Sequence, residues 1–160
     1  MQTRIIFVCL GNICRSPAAE GVMQYKVDAA GLQDRVKLDS AGTIAYHAGD
    51  RADSRMRSTA KRRGYNLTSI SRCLTQKDLG TFDYIVTMDD TNYVDTASLI
   101  ESHGQTGELV KFTDFCRHHD VSEVPDPYYG GDDGFEHVLD ILEDGCDGLL
   151  DKVRELHREG

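Results

Sequence analysis

No apolar stretch in the 160-residue sequence is longer than Ile5 to Leu10, far short of the ~20 residues that cross a bilayer. The first fifteen residues also lack the long apolar core of a signal peptide. These absences lead to the expectation of a cytoplasmic protein that does not engage membranes. Cations are outnumbered as well: 18 Lys and Arg stand against 27 Asp and Glu, a formal charge of -9. Such a balance opposes attraction to nucleic acid or an anionic surface. The five cysteines, Cys9, Cys14, Cys73, Cys116 and Cys146, contain no CxxC pair, so neither a secreted disulfide framework nor a four-ligand zinc site is indicated. Cys116, His118 and His119 come nearest to a metal cluster, but neighbours this close cannot all face one ion without further ligands. No metal is therefore expected. Repeats, low-complexity tracts and Pro/Gly/Ser linkers are missing too, which leaves one domain over residues 1–160. With 39% hydrophobic and 28% charged residues, the composition is that of an ordinary globular chain.

What is present alternates between two periodicities. Thr3 to Cys9 ends in a continuous β-prone run, as in a central parallel strand covered on both faces. Val36 to Ala41, Asp83 to Met88 and Glu108 to Phe112 read as three more short strands. Between them lie helices. Ser16 is expected to cap one that begins at Pro17 and carries Ala19, Val22, Met23, Val27 and Ala30 on one face until Gly31. Ser54 offers a cap for a basic helix ending near Gly64, and Asp89 or Asp90 for one through Tyr93, Ala97 and Ile100. Phe135, Val138, Leu139, Leu142, Cys146, Leu149, Leu150, Val153 and Leu156 hold a 3.6-residue stripe in the last helix. Charge is uneven along the chain: Arg51 to Arg72 holds seven Lys or Arg and one acid, Asp120 to Asp151 eleven acids and no Lys or Arg. Two solvated faces that attract each other are expected. Alternating strands and helices imply an α/β fold with a parallel sheet and helices on both faces.

Ligands of such sheets bind beyond the carboxyl ends of the strands, which directs attention to the first turn, CLGNICRSP. A Cys with Gly two residues on, Arg six on and then Ser or Thr is expected by chance only about 0.005 times in a chain of this composition. Cys9, Gly11, Arg15 and Ser16 satisfy all four conditions. A loop of this length, ending in a helix N-terminus, can converge backbone N–H groups on one anion, and phosphate fits it. Gly11 allows backbone conformations costly for other residues, and Asn12 is a residue that tolerates positive φ. Arg15 can hold two phosphoryl oxygens with its planar fork. Cys9 would lie beneath the anion, where the positive surroundings favour the nucleophilic thiolate and Ser16 can donate to the sulfur. Departure of an aryl oxygen also needs a proton. Asp126, in VPDPYYGG, is the candidate donor: Pro125 and Pro127 restrict its backbone, and Tyr128 and Tyr129 offer walls for an aromatic ring.

These segments resemble the low molecular weight protein tyrosine phosphatases: VCLGNICRSPAAEGV at 8 to 22, DSAGT at 39 to 43, FDYIVTMD at 82 to 89 and DPYYGG at 126 to 131. The resemblance implies a four-stranded parallel sheet with a phosphate-binding loop after the first strand, and no metal or organic cofactor. It implies that Cys9 becomes a phosphocysteine, that Arg15 binds the phosphoryl group and that Asp126 is the general acid and then the base for water. Gly11, Asn12, Ile13, Cys14 and Ser16 would form the loop, with Ser40 hydrogen-bonded into its network. Leu10, Tyr46 and Tyr128 would face the substrate ring. Cys14 matches a second loop cysteine that forms a reversible disulfide with the nucleophile. The implied partners are a phosphotyrosine-containing protein as substrate and inorganic phosphate as product and inhibitor, with a monomer or weak dimer left open. Two departures stand out: Ser69 replaces a His found in many relatives, and Tyr46 a Trp found in some. An arsenate reductase on the same scaffold, a phosphocysteine phosphocarrier and an oxyanion or redox module are the competing readings.

Overall fold

The computed structural model describes residues 1–104, 106–128 and 131–158. Its central strand is the apolar run at the start of the chain, β1 (Thr3–Cys9), flanked by β2 (Val36–Gly42) on one side and by β3 (Tyr84–Thr87) and β4 (Glu108–Lys111) on the other. All pairs are parallel, in the order β2-β1-β3-β4. Burial on both faces explains the lack of alternation in β1. Ile5, Phe7 and Cys9 pack in one core with α1 (Arg15–Ala29) and α5 (Asp132–His157), while Ile6 and Val8 pack in another with Leu79 and Ile85. Leu79 belongs to α3 (Gln76–Thr81), and Leu99 and Ile100, from α4 (Asp90–Glu101), close the second core. The expected four-stranded α/β sheet with helices on both faces is thus the observed one.

Element ends show where local signals competed. The first helix starts at Arg15, with Cys14 as its cap residue, because the Ser16 hydroxyl is engaged elsewhere. Pro17 then sits two positions into the helix, where its missing N–H still removes no helical bond. The basic helix α2 (Ser54–Arg62) is capped by Asp53 and not by Ser54: the carboxylate accepts from the N–H groups of Arg55 and Met56. In α5 the stripe holds from Phe135 to Val153, each side chain contributing about 1.5–3 kcal/mol by burial. Leu156 departs from it, being 41% exposed, whereas His157 is buried with its ring 2.8 Å from Thr3 Oγ1. At Gly148 of α5 a Cβ would run into the Phe115 carbonyl, which lets the 3-10 turn Phe112–Phe115 lie directly on the helix.

Residues 117 to 119, part of the cysteine and histidine cluster noted in the sequence, wrap a carboxylate. Asp144, buried on α5, accepts from the N–H groups of Arg117 and His118, each at 2.9 Å, and from His119 Nδ1 at 2.8 Å. Burial alone would raise its pKa, but these donors outweigh burial and hold it at about 2. Because the folded value lies below the ordinary one, the stabilisation is complete above about pH 4 and is lost as pH falls through about 2. Asp144→Asn is expected to flatten the decline of unfolding free energy between about pH 4 and 2, as read by denaturant titration at stepped pH. An unchanged slope would remove Asp144 from the acid transition.

None of the described helices is long and apolar enough to cross a membrane.

Candidate active site

The first turn of the sheet is shaped by Asn12. Its φ of 58° is the positive value expected of it, and its side chain acts at both ends. Oδ1 accepts from the Arg72 N–H at 3.0 Å, and Nδ2 donates to Ser16 Oγ at 2.8 Å. The Ser16 hydroxyl also lies 3.0 Å from Cys9 Sγ, within hydrogen-bond distance, and can donate to the sulfur when it is ionised. A second fastening runs from Ser71 Oγ to the Gly11 carbonyl at 2.9 Å. Arg72, whose backbone supports Asn12, is fixed by Asp39 at 2.9 Å and by both oxygens of Asp78 at 2.8 and 3.0 Å. Support for the loop therefore comes from Ser71 and Arg72. Gly11 serves differently from the expectation: its φ is not in the left-handed region, and what matters is closeness, since a Cβ there would stand 3.0 Å from the His47 ring.

Arg15 and Asp126 meet this loop at the point where the sheet order reverses, between the carboxyl ends of β1 and β3. Asp89, directly after β3 and the N-cap of α4, takes Arg15 Nη1 at 2.6 Å. The same nitrogen donates to the Val124 carbonyl at 3.1 Å, while Nη2 stands 3.6 Å from Asp126 Oδ2. The segment bearing Asp126 is held by the Val124 N–H on the Met88 carbonyl at 2.8 Å and by the Tyr128 N–H on Asp126 Oδ1 at 3.0 Å. Arg55 adds a clamp from α2. Its guanidinium is paired with Asp53, lies against the rings of Tyr128 and Phe135, and donates to the Tyr128 carbonyl at 2.9 Å.

Together these residues line one cleft of about 470 Å³: Cys9, Leu10, Gly11, Ile13, Cys14, Arg15, Ile44, Tyr46, His47, Asp126 and Tyr128. Leu10, Tyr46 and Tyr128, expected as walls, are among the residues that line it. Ser40 is not brought to the cleft; buried on β2, its hydroxyl donates to Glu20 at 2.7 Å, which corrects its expected place in the loop network. Tyr129 lies outside the described residues. The sequence reading missed Ile44 and His47. His47 packs edge-on against Tyr46 and tilted against Tyr128, with ring centroids at 4.8 and 5.9 Å, so it joins the two aromatic walls. No local periodicity marks it, because a fold-back of the chain places it: the Gly49 N–H donates to the Ser71 carbonyl at 2.9 Å.

The family model for low molecular weight phosphotyrosine protein phosphatase matches residues 4–159. The chain belongs to this family. A Synechocystis protein of the same family name is 47% identical over 148 residues, 92% of this chain and 94% of that one. A low molecular weight protein-tyrosine-phosphatase of Streptomyces coelicolor is 39% identical, covering 97% and 96%. A crystal structure of a protein tyrosine phosphatase from Entamoeba histolytica superposes with a TM-score of 0.91 at 47% identity, covering 96% of this chain and 98% of that one. As a low molecular weight phosphotyrosine protein phosphatase, the protein is a phosphoric monoester hydrolase.

In this phosphatase the charges around the cleft are arranged unequally. Burial would by itself favour a neutral Arg15, but Cys9, Asp89 and Asp126 outweigh it and keep the guanidinium more firmly protonated than usual. Asp89 is half-buried, yet the Asn92 N–H and Arg15 hold its carboxyl below the usual range, so it remains an anion. Cys14 is the opposite case: burial, reinforced by Asp53 and Cys9, pushes its thiol far up, and it stays protonated at neutral pH.

Proposed function

We propose that the protein hydrolyses phosphotyrosine in protein substrates through a phosphocysteine on Cys9. One observation carries the reading: Cys9 Sγ, hydrogen-bonded with the Ser16 hydroxyl at 3.0 Å, shares a cleft with Arg15 and Asp126. In the first step Sγ attacks phosphorus, the bond to the aryl oxygen breaks, and protonated Asp126 gives its proton to that oxygen. In the second, the Asp126 carboxylate takes a proton from water, whose oxygen attacks phosphorus; the S–P bond breaks and phosphate leaves. Arg15 and the N–H groups of residues 10 to 15 neutralise the equatorial oxygens in both steps. Leu10, Tyr46 and Tyr128, joined by Ile44 and His47, hold the phenyl ring. Five free thiols suit a reducing cytoplasm.

The test is steady turnover of p-nitrophenyl phosphate with no added thiol, inhibited competitively by phosphate and vanadate and indifferent to EDTA. Release of one equivalent of p-nitrophenol with no further turnover would turn the reading into that of a phosphocysteine phosphocarrier, and thiol-dependent reduction of arsenate without turnover of the aryl phosphate into that of an arsenate reductase.

Cys14 adds a redox function to the same proposal. Peroxide converts the Cys9 thiolate to a sulfenic acid; Cys14 Sγ then attacks that sulfur, the S–S bond forms, and the departing hydroxide leaves with the Cys14 proton as water. Cys14→Ser is expected to keep its activity under reducing conditions yet recover from peroxide less completely on thiol treatment. Equal recovery, with no Cys9–Cys14 peptide in the mass spectrum, would leave Cys14 a packing residue.

A further inference from the structure

The cationic tract from Arg51 to Arg72 was expected to face the acidic tract, and only part of it does. Among the described residues, Arg63 is the one cation of this tract that takes carboxylates of α5, reaching Glu136, Asp140 and Glu143 at 3.4, 2.9 and 2.7 Å. Arg55 is occupied by Asp53, and Arg72 by Asp39 and Asp78. Among the described residues, no carboxylate lies within ion-pair distance of Arg51, Arg57, Lys61 or Arg62, in a chain whose formal charge is -9. Three of these are neighbours along α2 and the residues that lead into it. Arg51 and Lys61 are exposed, and Arg57 turns its Nε back to the Ala52 carbonyl at 2.9 Å, next to Arg51. Lys61 follows Arg57 by one helical turn on the same face.

These cations follow the cleft wall in the chain. Arg51 follows the wall residue His47 by four positions, and the next residues of that segment are bound to the phosphate loop: the Asp53 N–H donates to the Ile13 carbonyl at 2.8 Å. One helical turn spans about 5.4 Å, close to two residues of extended peptide at about 3.3 Å each. A substrate segment running along α2 would therefore meet Arg57 and Lys61 about two residues apart.

We propose that Arg51, Arg57 and Lys61 form a docking surface for acidic residues that flank the phosphotyrosine of the substrate. This rests on the function proposed above and names its substrate class: acidic phosphotyrosine segments. The remaining surface, being strongly negative, repels other acidic segments and so directs them to this edge.

The experiment compares kcat/KM for two phosphotyrosine peptides of equal length, one flanked by Asp and Glu, the other by Asn and Gln, with p-nitrophenyl phosphate as a substrate that has no flanks. The wild type is expected to prefer the acidic peptide by about tenfold at low salt, as three exposed ion pairs would give, and to lose most of the preference at high salt. Arg51→Gln/Arg57→Gln/Lys61→Gln should treat the peptides alike while hydrolysing p-nitrophenyl phosphate as the wild type does. Because Arg57 also holds the Ala52 carbonyl, Arg51→Glu/Lys61→Glu is measured beside it and should favour the neutral peptide. If the wild type hydrolyses p-nitrophenyl phosphate but does not distinguish the peptides, or the variants keep the preference, the docking surface is overturned and the proposed activity stands. If the wild type hydrolyses none of the three, the proposed activity falls and the docking surface with it.

Discussion

Cys9→Ser is expected to reduce hydrolysis of p-nitrophenyl phosphate to background, while the folded variant still binds phosphate. Serine matches cysteine in shape, so the Ser16 hydroxyl and the loop built on Asn12 keep their places. What is lost is the sulfur nucleophile: at neutral pH a serine hydroxyl is not ionised beneath the phosphoryl group, and no step can begin. Arg15→Ala should cost about 10³ to 10⁵ in kcat, the scale on which a cation acts in phosphoryl transfer. It also leaves Asp89 without the guanidinium at 2.6 Å, so Arg15→Lys is the better-behaved companion. Lysine keeps the charge but lacks the planar fork that can hold Asp89 and face Asp126 together. Retained activity in a folded Cys9→Ser enzyme would move the nucleophile elsewhere.

Asp126→Asn should lower turnover by about 10² to 10⁴, and unevenly. The amide can still accept the Tyr128 N–H through its oxygen, so the loop persists and only the proton is missing. Phosphates of weakly acidic phenols should suffer most and those of strongly electron-poor phenols least, which steepens the dependence of kcat on leaving-group acidity. A uniform loss across the series would show that Asp126 does not protonate the leaving oxygen. Asp89 is a poor substitute: Arg15 and the Asn92 N–H keep its carboxyl ionised, whereas a general acid must carry a proton.

The sheet was legible because β1 and β3 are buried apolar runs and β2 and β4 are short β-prone segments between helical patterns. The first turn was legible as a candidate phosphate site because Cys9, Asn12, Arg15 and Ser16 lie within eight residues and each answers a separate chemical need. The misses arise where a side chain had two possible partners. Ser16 could cap α1 or serve the thiol, and Asn12 decides the matter by donating to its hydroxyl. Ser40 could reach the loop or Glu20, and the register of β2 on β1, with Ser40 opposite Phe7, gives it to Glu20. The short helix α3 had a readable signal, the capping box of Thr75 and Asp78, but six largely polar residues carry no periodicity to join to it. His47 and Arg55 act on the cleft through contacts that span the chain, with Tyr128 as their common neighbour.

The covalent intermediate is the centre of the account, and the most direct measurement is to quench the enzyme in denaturant during turnover of a labelled aryl phosphate and map the label by peptide mass spectrometry. The account predicts a phosphoryl group on the peptide containing Cys9, attached through sulfur, absent from Cys9→Ser and unaffected by Cys14→Ser. Label on another residue, or turnover with no labelled peptide at any time point, would contradict it.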